Sequence, residues 1–325
     1  MAYNRKEEMD YEEYESLKQS RFKQQKIPGW RILPSMFHAI LYFFSIGILC
    51  LGLGIALILV SEENIFKEEF FHNNTYVIFN ITKKMKADIM VYYKVYNYYQ
   101  NNRRYISSKS FDQLYGENIT LNDMKKRHDC DPLITNKDME INESIFNISL
   151  KQDELAIPCG LMAKSFKLFN NSYIFEYIDG PNFNENSSNN IEINTTNIAR
   201  KFDREKYNNS FNITNQWLDL KDEHFMVWMR PAPFANFSKL YGRINQDIEK
   251  GNVIKVTMQP GKYFDKEEYN KSGVNLSIIL TTTNYFGGEN KNKELSFAFA
   301  GFGLLCIIFG IVFIVAFKCN NKKDK

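Results

Sequence analysis

The sequence predicts a membrane protein in which two transmembrane helices flank a large, mainly antiparallel-β, glycosylated ectodomain with a few short helices. Two apolar runs without charged residues, 36–60 and 295–317, are each long enough to cross a hydrocarbon core of about 30 Å. The segment between them, residues 61–294, contains many N-x-S/T sequons. Residues 1–35 and 318–325 are then a cytosolic N-terminal segment and a cytosolic tail.

Basic residues around the two apolar runs predict their orientation. Four of them precede the first run and four follow the second: Arg21, Lys23, Lys26, Arg31, Lys318, Lys322, Lys323 and Lys325. The segment between the runs opens instead with Glu62 and Glu63. Because Lys and Arg concentrate on the cytosolic side, both termini should be cytosolic and the ectodomain luminal or extracellular. A cleaved signal peptide is the alternative, but its apolar region is shorter and nearer the N terminus.

Asparagine-linked glycosylation is predicted by an excess of sequons. Chance would give about 3 to 4 sequons in a segment of this composition, whereas residues 61–294 contain 13. The asparagines are Asn73, Asn80, Asn118, Asn142, Asn147, Asn170, Asn186, Asn194, Asn208, Asn212, Asn236, Asn270 and Asn275. The excess favours real modification of a luminal or extracellular domain.

Four stretches of the ectodomain have the β-branched and aromatic composition of strands: residues 75–82, 88–95, 253–258 and 276–283. Strands in this order, without alternating helices, favour antiparallel sheets over β-α units.

Other stretches give different predictions. Residues 225–229 (FMVWM) are apolar throughout, which predicts a strand buried on both faces. Leu240, Ile244 and Ile248 recur at every fourth position, which predicts a short amphipathic helix. Residues 96–109 indicate helix or turn, and residues 181–197 indicate a surface loop.

Cys130 and Cys159 are the only cysteines expected in the oxidising compartment, and we expect them to form a disulfide. Closing a loop of about 30 residues would stabilise the fold by about 3.6 kcal/mol in the chain-entropy model.

Motifs for catalysis, metal binding and nucleotide binding were sought and not found. The chain contains no H-E-x-x-H, C-x-x-C, G-x-S-x-G or G-x-x-x-x-G-K-[ST], so neither an enzyme nor a cofactor is predicted. The formal charge is +3 and no nucleic-acid-binding signature is present, so nucleic acid is not an expected partner.

Two basic stretches allow more than one interpretation. The strip from Phe22 to Pro34 contains Pro28 and Trp30 and is either an interfacial anchor or a docking strip for a cytosolic partner. Arg103 and Arg104 lie among aromatic residues and are either a ligand site or an exposed structural pair.

Five stretches, read together, resemble the cell division control protein 50 family, also called the ligand-effect modulator family. They are residues 22–34, 96–105, 157–163, 225–242 and 281–290, in the family's order and between the same two spans. The resemblance implies a non-catalytic β subunit and chaperone of a type-IV P-type ATPase, a phospholipid flippase. It also implies that the ATPase needs this subunit to leave the endoplasmic reticulum and to move phospholipid from the exoplasmic to the cytosolic leaflet.

Partners, locations and contact residues follow from the same resemblance. The expected partners are the ATPase α subunit, in a heterodimer, and membrane phospholipids. The expected locations are the endoplasmic reticulum, Golgi or endosomes and the plasma membrane. The expected partner-binding residues are Phe22, Gln24, Gln25, Pro28, Trp30, Arg103, Arg104, Trp228 and Arg230.

The chain departs from the family pattern in two places. Residues 61–105 lack the additional cysteine pair that family members commonly carry, so packing and glycans must hold this part of the ectodomain. The usual histidine of the arginine-rich motif is Asn102, which puts in doubt any role that needs an imidazole. Cys130 and Cys159 match the remaining family disulfide.

Two other classes of protein fit the same plan, and the tail carries a candidate sorting signal. A two-span ligand-gated channel or a stand-alone adhesion or receptor protein shares the same plan, although such channels tend to carry more luminal cysteines and polar pore residues. Lys322 and Lys323, at the fourth and third positions from the C terminus, resemble a dilysine retrieval signal, and they would also serve as an ordinary basic flank.

Overall fold

A computed structural model describes residues 15–16, 18–22, 24–26, 35–62, 65–71, 75–185, 188–210, 212–282 and 289–323. The chain divides into two compact units, which are described separately. One contains both termini and most of the two long helices, and the other is residues 56–296.

The described helices and strands, in chain order, are α1 (Met36–Glu62), β1 (Phe66–Phe70), β2 (Tyr76–Asn80), β3 (Ile89–Tyr96), α2 (Arg103–Ser107), α3 (Phe111–Leu114), α4 (Leu121–Arg127), α5 (Asn136–Met139), α6 (Leu161–Phe166), β4 (Ser172–Asp179), β5 (Asn190–Ile191), α7 (Lys201–Lys206), α8 (Glu223–Trp228), β6 (Phe237–Ile244), β7 (Val253–Gln259), α9 (Lys266–Ser272), β8 (Asn275–Thr282) and α10 (Glu289–Lys323).

The two long helices, α1 and α10, pack against each other through glycines. A Cβ added to Gly303 would lie 2.9 Å from the Gly47 carbonyl oxygen, so only glycine permits this approach. Phe43 stacks on Phe313 with ring centroids 5.4 Å apart. Only 17% of the most apolar window of either helix is buried. The rest of this apolar surface suits a lipid environment, as the prediction of two transmembrane helices requires.

The ectodomain is built on two four-stranded antiparallel sheets. The first sheet has the strand order β1-β8-β3-β6, and the second has the order β2-β7-β4-β5. Burial alternates along β2, where Val77 and Phe79 are buried and their neighbours are exposed. Such alternation is the burial pattern of a strand with one face on the core. All four predicted strand stretches are confirmed as β2, β3, β7 and β8. The predicted loop 181–197 contains the two-residue strand β5.

The prediction of a buried strand at 225–229 is wrong, because these residues belong to helix α8. The Asp222 side chain caps this helix by accepting from the backbone N–H of His224. Phe225, Met226 and Trp228 are all buried. A short helix buried on most sides has the same apolar composition as a strand buried on both faces, so composition could not separate the two.

The prediction of a helix through Leu240, Ile244 and Ile248 is also wrong. Leu240 and Ile244 lie in strand β6, and Ile248 forms an isolated antiparallel bridge with Met85. A spacing of four residues fits alternate positions of a strand as well as one face of a helix. A register shift opposite Val91 then changes which residues of β6 face the core.

The disulfide joins Cys130, which follows α4, to Cys159, which precedes α6, with an S–S distance of 2.05 Å. Both cysteines are buried. The Gln113 side chain crosses the same region, donating to the Ala156 carbonyl at 3.0 Å and accepting from the Cys159 N–H at 3.1 Å. The disulfide and the Gln113 side chain therefore tie the segment after α4 and helix α3 to the segment before α6.

Candidate partner-binding surface

Three of the five family-like stretches, 96–105, 157–163 and 225–242, meet in the ectodomain. The Tyr105 hydroxyl lies 2.6 Å from the Ser165 hydroxyl. The Trp228 indole N–H donates to the same hydroxyl at 3.0 Å and to the Met162 carbonyl at 3.2 Å. Helix α6, which begins within the 157–163 stretch, thus forms hydrogen bonds with both of the others.

Trp228, which was expected to contact the partner, is fully buried. Its ring stacks on Phe169 with centroids 4.4 Å apart and lies 5.9 Å from the Tyr98 ring. A side chain in this position supports the end of α8 and is not available to another protein. We therefore assign Trp228 a positioning role.

Gly160 brings the disulfide segment against Ser108. Its φ is +99°, and an added Cβ would lie 2.2 Å from the Ser108 carbonyl oxygen. The Ser108 hydroxyl accepts from the Leu161 N–H at 2.9 Å and donates to the Cys130 carbonyl at 3.0 Å. No side chain other than hydrogen fits at position 160.

The loop of residues 230–236, between α8 and β6, is held against the segment 98–101 by three hydrogen bonds. The Ala232 N–H donates to the buried Gln100 side chain at 3.0 Å. The Asn101 side chain donates to the Pro233 carbonyl at 3.0 Å, and the Tyr98 N–H donates to the Ala235 carbonyl at 3.1 Å. These bonds fix the loop that presents Phe234, whose side chain is 75% exposed.

Lys239 holds the beginning of the same loop from inside the domain. Its buried ammonium group donates to the carbonyls of Val227 at 3.2 Å and of Arg230. It also lies 5.3 Å from the centroid of the Phe237 ring. Burial lowers the pKa of Lys239 to about 7. The ammonium group satisfies carbonyls at the C-terminal end of α8, where a cation is favoured.

Arg230 forms a bidentate ion pair with Asp203 of α7, with N–O distances of 2.6 and 2.8 Å. The Asp203 side chain is 7% exposed and the Arg230 side chain 41% exposed. Hydrogen bonding to this carboxylate raises the pKa of Arg230. Burial lowers the pKa of nearby Lys109, and the charge of Arg230 lowers it further. Lys109 and the Arg230–Asp203 pair therefore lie close to each other at the beginning of the 230–236 loop.

Arg103 and Arg104 begin α2, and both side chains are exposed. In the described part of the chain neither guanidinium forms an ion pair. Asn102, which replaces the family histidine, caps this helix by accepting from the Arg104 N–H at 2.9 Å. An amide performs that role as well as an imidazole would, because asparagine is among the preferred N-cap residues.

Segments 98–101 and 230–236 are joined by hydrogen bonds and Lys109 lies near Arg230, so we group the basic and aromatic residues on and next to these segments as the basic–aromatic surface: Tyr99, Arg103, Arg104, Lys109, Arg230 and Phe234. Its aromatic members Tyr99 and Phe234 are strongly exposed. Rigid aromatic residues and arginines are the side chains enriched at the centres of protein interfaces. No sequence pattern singled out Phe234 or Lys109, nor the buried residues Gln100, Asp203 and Lys239.

The predicted cytosolic and glycan residues are only partly described. Phe22, Gln24 and Gln25 are exposed, whereas Pro28 and Trp30 lie outside the described residues. Asn73 and Asn186 also lie outside them. Of the other predicted glycosylation sites, Asn170 is half-buried and the remaining ten are exposed: Asn80, Asn118, Asn142, Asn147, Asn194, Asn208, Asn212, Asn236, Asn270 and Asn275. Lys322 and Lys323 are the last residues of α10.

The fold defines an integral membrane protein with two spans and one large, disulfide-bonded ectodomain. The sequence profile of the LEM3 (ligand-effect modulator 3) family, or CDC50 family, matches residues 4–323. The chain belongs to this family, whose members are known as non-catalytic β subunits of P4-ATPase flippases. The resemblance inferred from the five stretches is confirmed.

Named relatives match over nearly their whole length. A protein named putative ALA-interacting subunit 2 of Arabidopsis thaliana is 29% identical over 93% of this chain and 88% of its own length. Cell cycle control protein 50A of Mus musculus is 27% identical over 90% of this chain and 87% of its own length. Cell cycle control protein 50C of Mus musculus is 29% identical over 90% of this chain and 91% of its own length.

Proposed function

We propose that this chain is the non-catalytic β subunit and chaperone of a type-IV P-type ATPase phospholipid flippase. It supports export of the ATPase from the endoplasmic reticulum and movement of phospholipid from the exoplasmic to the cytosolic leaflet. The observation that carries this proposal is the family match over residues 4–323, which takes in both long helices as well as the ectodomain. ATP hydrolysis and lipid movement then belong to the α subunit.

The proposed topology places both termini in the cytosol and the ectodomain in the lumen or outside the cell. The basic flanks and the excess of sequons support it. The protein then passes from the endoplasmic reticulum through the Golgi or endosomes to the plasma membrane. Endoglycosidase treatment of the full chain should lower its apparent mass by many kilodaltons, and an unchanged band would contradict this topology.

The basic–aromatic surface is the proposed contact with the exoplasmic loops of the ATPase. Its exposed guanidinium groups suit carboxylates of the partner, because arginine pairs with carboxylates through two parallel hydrogen bonds. Phe234 and Tyr99 provide apolar area beside these charges. Hydrogen bonds already hold the backbone of the 230–236 loop and of α2 in place. Binding therefore costs mainly the conformational entropy of the exposed side chains.

Recovery of the ATPase with tagged full-length chain tests this contact. Arg103→Ala with Arg104→Ala should reduce the recovered ATPase by about tenfold or more, since removing a central arginine often costs over 1.4 kcal/mol. Lys125→Ala with Lys126→Ala is the matched control, because it removes two adjacent exposed charges from another short helix. Equal recovery with both variants would exclude the surface as the contact.

Asn236 lies at the end of the 230–236 loop, so a glycan there would share space with the partner. Its side-chain oxygen accepts from the Asn97 N–H at 3.1 Å, so replacing Asn236 would also disturb the loop. Ser238→Ala removes the sequon and keeps this bond. If the surface binds the ATPase, Ser238→Ala should leave recovery equal or higher, and a loss of recovery would show that the glycan forms the contact instead.

The cytosolic strip is the second proposed contact with the ATPase. Phe22, Gln24 and Gln25 are exposed, and Phe22 is a large apolar residue without a core to fill. Replacing these three and Trp30 with Ala should lower the ATPase activity of the complex while glycan maturation stays normal. Unchanged activity would make the strip a membrane anchor only.

Lys322 and Lys323 are proposed to return unassembled subunits to the endoplasmic reticulum until the ATPase covers them. Lys322→Ser with Lys323→Ser, expressed without an ATPase partner, should then acquire glycans resistant to endoglycosidase H. If the glycans stay sensitive, the tail only orients the second span.

A further inference from the structure

The second sheet has an outward face that carries large apolar side chains. Tyr76 and Ile78 of β2 are 42% and 41% exposed, and Ile178 of β4 is 39% exposed. Ile174 of β4 and Val253 of β7 are half-buried on the same face, and Thr257 and Lys255 of β7 lie opposite Tyr76 and Ile78. Scattered apolar residues on a surface need no explanation, but Tyr76 and Ile78 follow each other on one face of β2 and form a small apolar strip at the edge of the sheet.

A predicted glycosylation site lies on this same face. Asn80 follows Tyr76 and Ile78 at alternate positions of β2, and all three are exposed while Val77 and Phe79 point into the core. Side chains two residues apart on one face are about 7 Å apart, so Ile78 lies within about 7 Å of Asn80 and Tyr76 within about 14 Å. Val253 is the direct cross-strand neighbour of Asn80.

Strand β2 is also weakly supported by the rest of the sheet. It has five residues, lies at the edge of the second sheet and pairs only with β7. It belongs to residues 61–105, which have no cysteine. A short edge strand with exposed apolar side chains is prone to opening and to pairing with other chains.

We propose that the N-glycan on Asn80 lies over this face, with its first two sugars covering Ile78, Val253 and the near edge of Tyr76. The occupant is carbohydrate of the chain itself, because its attachment point is built into the face. Each sugar ring has a face of C–H groups that packs on apolar side chains, while its hydroxyl groups remain in water. The Lys255 ammonium lies 5.3 Å from the centroid of the Tyr76 ring and provides a polar partner for the sugars.

Two consequences follow for the function. The glycan stabilises β2 where family members commonly rely on an additional cysteine pair. It also closes the outward face of the second sheet to protein partners, which leaves the basic–aromatic surface for the ATPase. This inference rests on the luminal or extracellular placement of the ectodomain proposed above.

The test compares full-length glycoproteins that differ only in their sequons. Asn80→Gln and Thr82→Ala both remove this glycan through different residues, and Asn118→Gln removes a glycan from an exposed site before α4. Both Asn80→Gln and Thr82→Ala should increase chymotrypsin cleavage after Tyr76 by about tenfold, as expected when an edge strand opens more readily. Asn118→Gln should leave this cleavage unchanged.

A rescue variant tests whether the Asn80 glycan acts by covering apolar side chains or through a general effect of glycosylation. Thr82→Ala, which lacks only the Asn80 glycan, should aggregate more than the wild type. Ile78→Thr placed in this background removes apolar area from the face and should reduce the aggregation toward that of the wild type. Failure of this rescue would overturn the proposal. So would normal protection in Thr82→Ala, or a loss of ATPase recovery with normal protection, which would make the face a protein contact.

Mass spectrometry of glycan occupancy at each sequon tests this inference separately from the proposed topology. If every sequon is unmodified, the proposed topology itself fails. If other sequons are modified and Asn80 is not, the topology stands and the covering role of Asn80 is overturned.

Discussion

Replacing Arg230 should destabilise the ectodomain before it affects any partner. Arg230→Ala leaves the Asp203 carboxylate, 7% exposed, without its bidentate partner. Breaking a buried ion pair in this way costs about 3–5 kcal/mol. Because Arg230 itself is 41% exposed, water can reach part of the vacated space, and we expect the lower end, about 3 kcal/mol.

Thermal unfolding of the variants gives the measurement. For a domain of this size a loss of about 3 kcal/mol lowers the melting temperature of the purified full chain by about 6–12 °C. Asp203→Asn with Arg230→Gln leaves no buried unpaired charge and should lose less than Arg230→Ala alone. Arg103→Ala, at an exposed site, should change stability by no more than about 0.5 kcal/mol. An unchanged melting temperature for Arg230→Ala would refute this reasoning, and reduced ATPase recovery beside it would leave Arg230 with a contact role alone.

Three further predictions concern other parts of the chain. Cys159→Ser removes a disulfide worth about 3.6 kcal/mol and should leave the protein sensitive to endoglycosidase H, whereas maleimide labelling of both cysteines in the wild type would contradict the bond. Lys239 has a pKa of about 7 when folded and 10.5 ordinarily, so the unfolded state binds more protons between these values. The free energy of unfolding should therefore rise from about pH 7 to 10, and a slope that persists in Lys239→Met would assign the dependence to other groups. Gly303→Ala should destabilise the pair of long helices in detergent, because the added Cβ would meet the Gly47 carbonyl oxygen. Gly301→Ala is the control, because its added Cβ would have nothing within 4 Å. Equal melting temperatures for the two variants would contradict the described packing.

The fold class could be predicted from the sequence because its signals are local. The two uncharged runs are long enough to span a membrane, and strands such as β2 alternate strictly between core and solvent. The residues of helix α8 were predicted to form a strand, and those of strand β6 a helix. Both predictions failed because neither apolar pattern distinguishes a period of 2 residues from a period of 3.6 residues. Pairing with β3 fixes β6, and the Asp222 cap with burial on most sides fixes α8.

The candidate site could be predicted only in part. Arg103 and Arg104 are exposed as a contact requires, but Trp228 in the same family-like stretches is a core residue. The hydrogen bond from Ala232 to Gln100 joins residues 132 positions apart, and no local pattern reveals it. For the same reason no local pattern indicates that Phe234 is held on the surface by a loop bonded to residues 98–101.

Reconstitution tests the central claim most directly. A purified P4-ATPase α subunit is placed in liposomes with and without this chain, and ATP-dependent movement of fluorescent phospholipid from the exoplasmic to the cytosolic-equivalent leaflet is measured. The chain should co-purify in a one-to-one complex and raise the transport rate, while showing no ATP hydrolysis when reconstituted alone. A transport rate that is the same without the chain, for every α subunit that it co-purifies with, would contradict its assignment as a flippase β subunit.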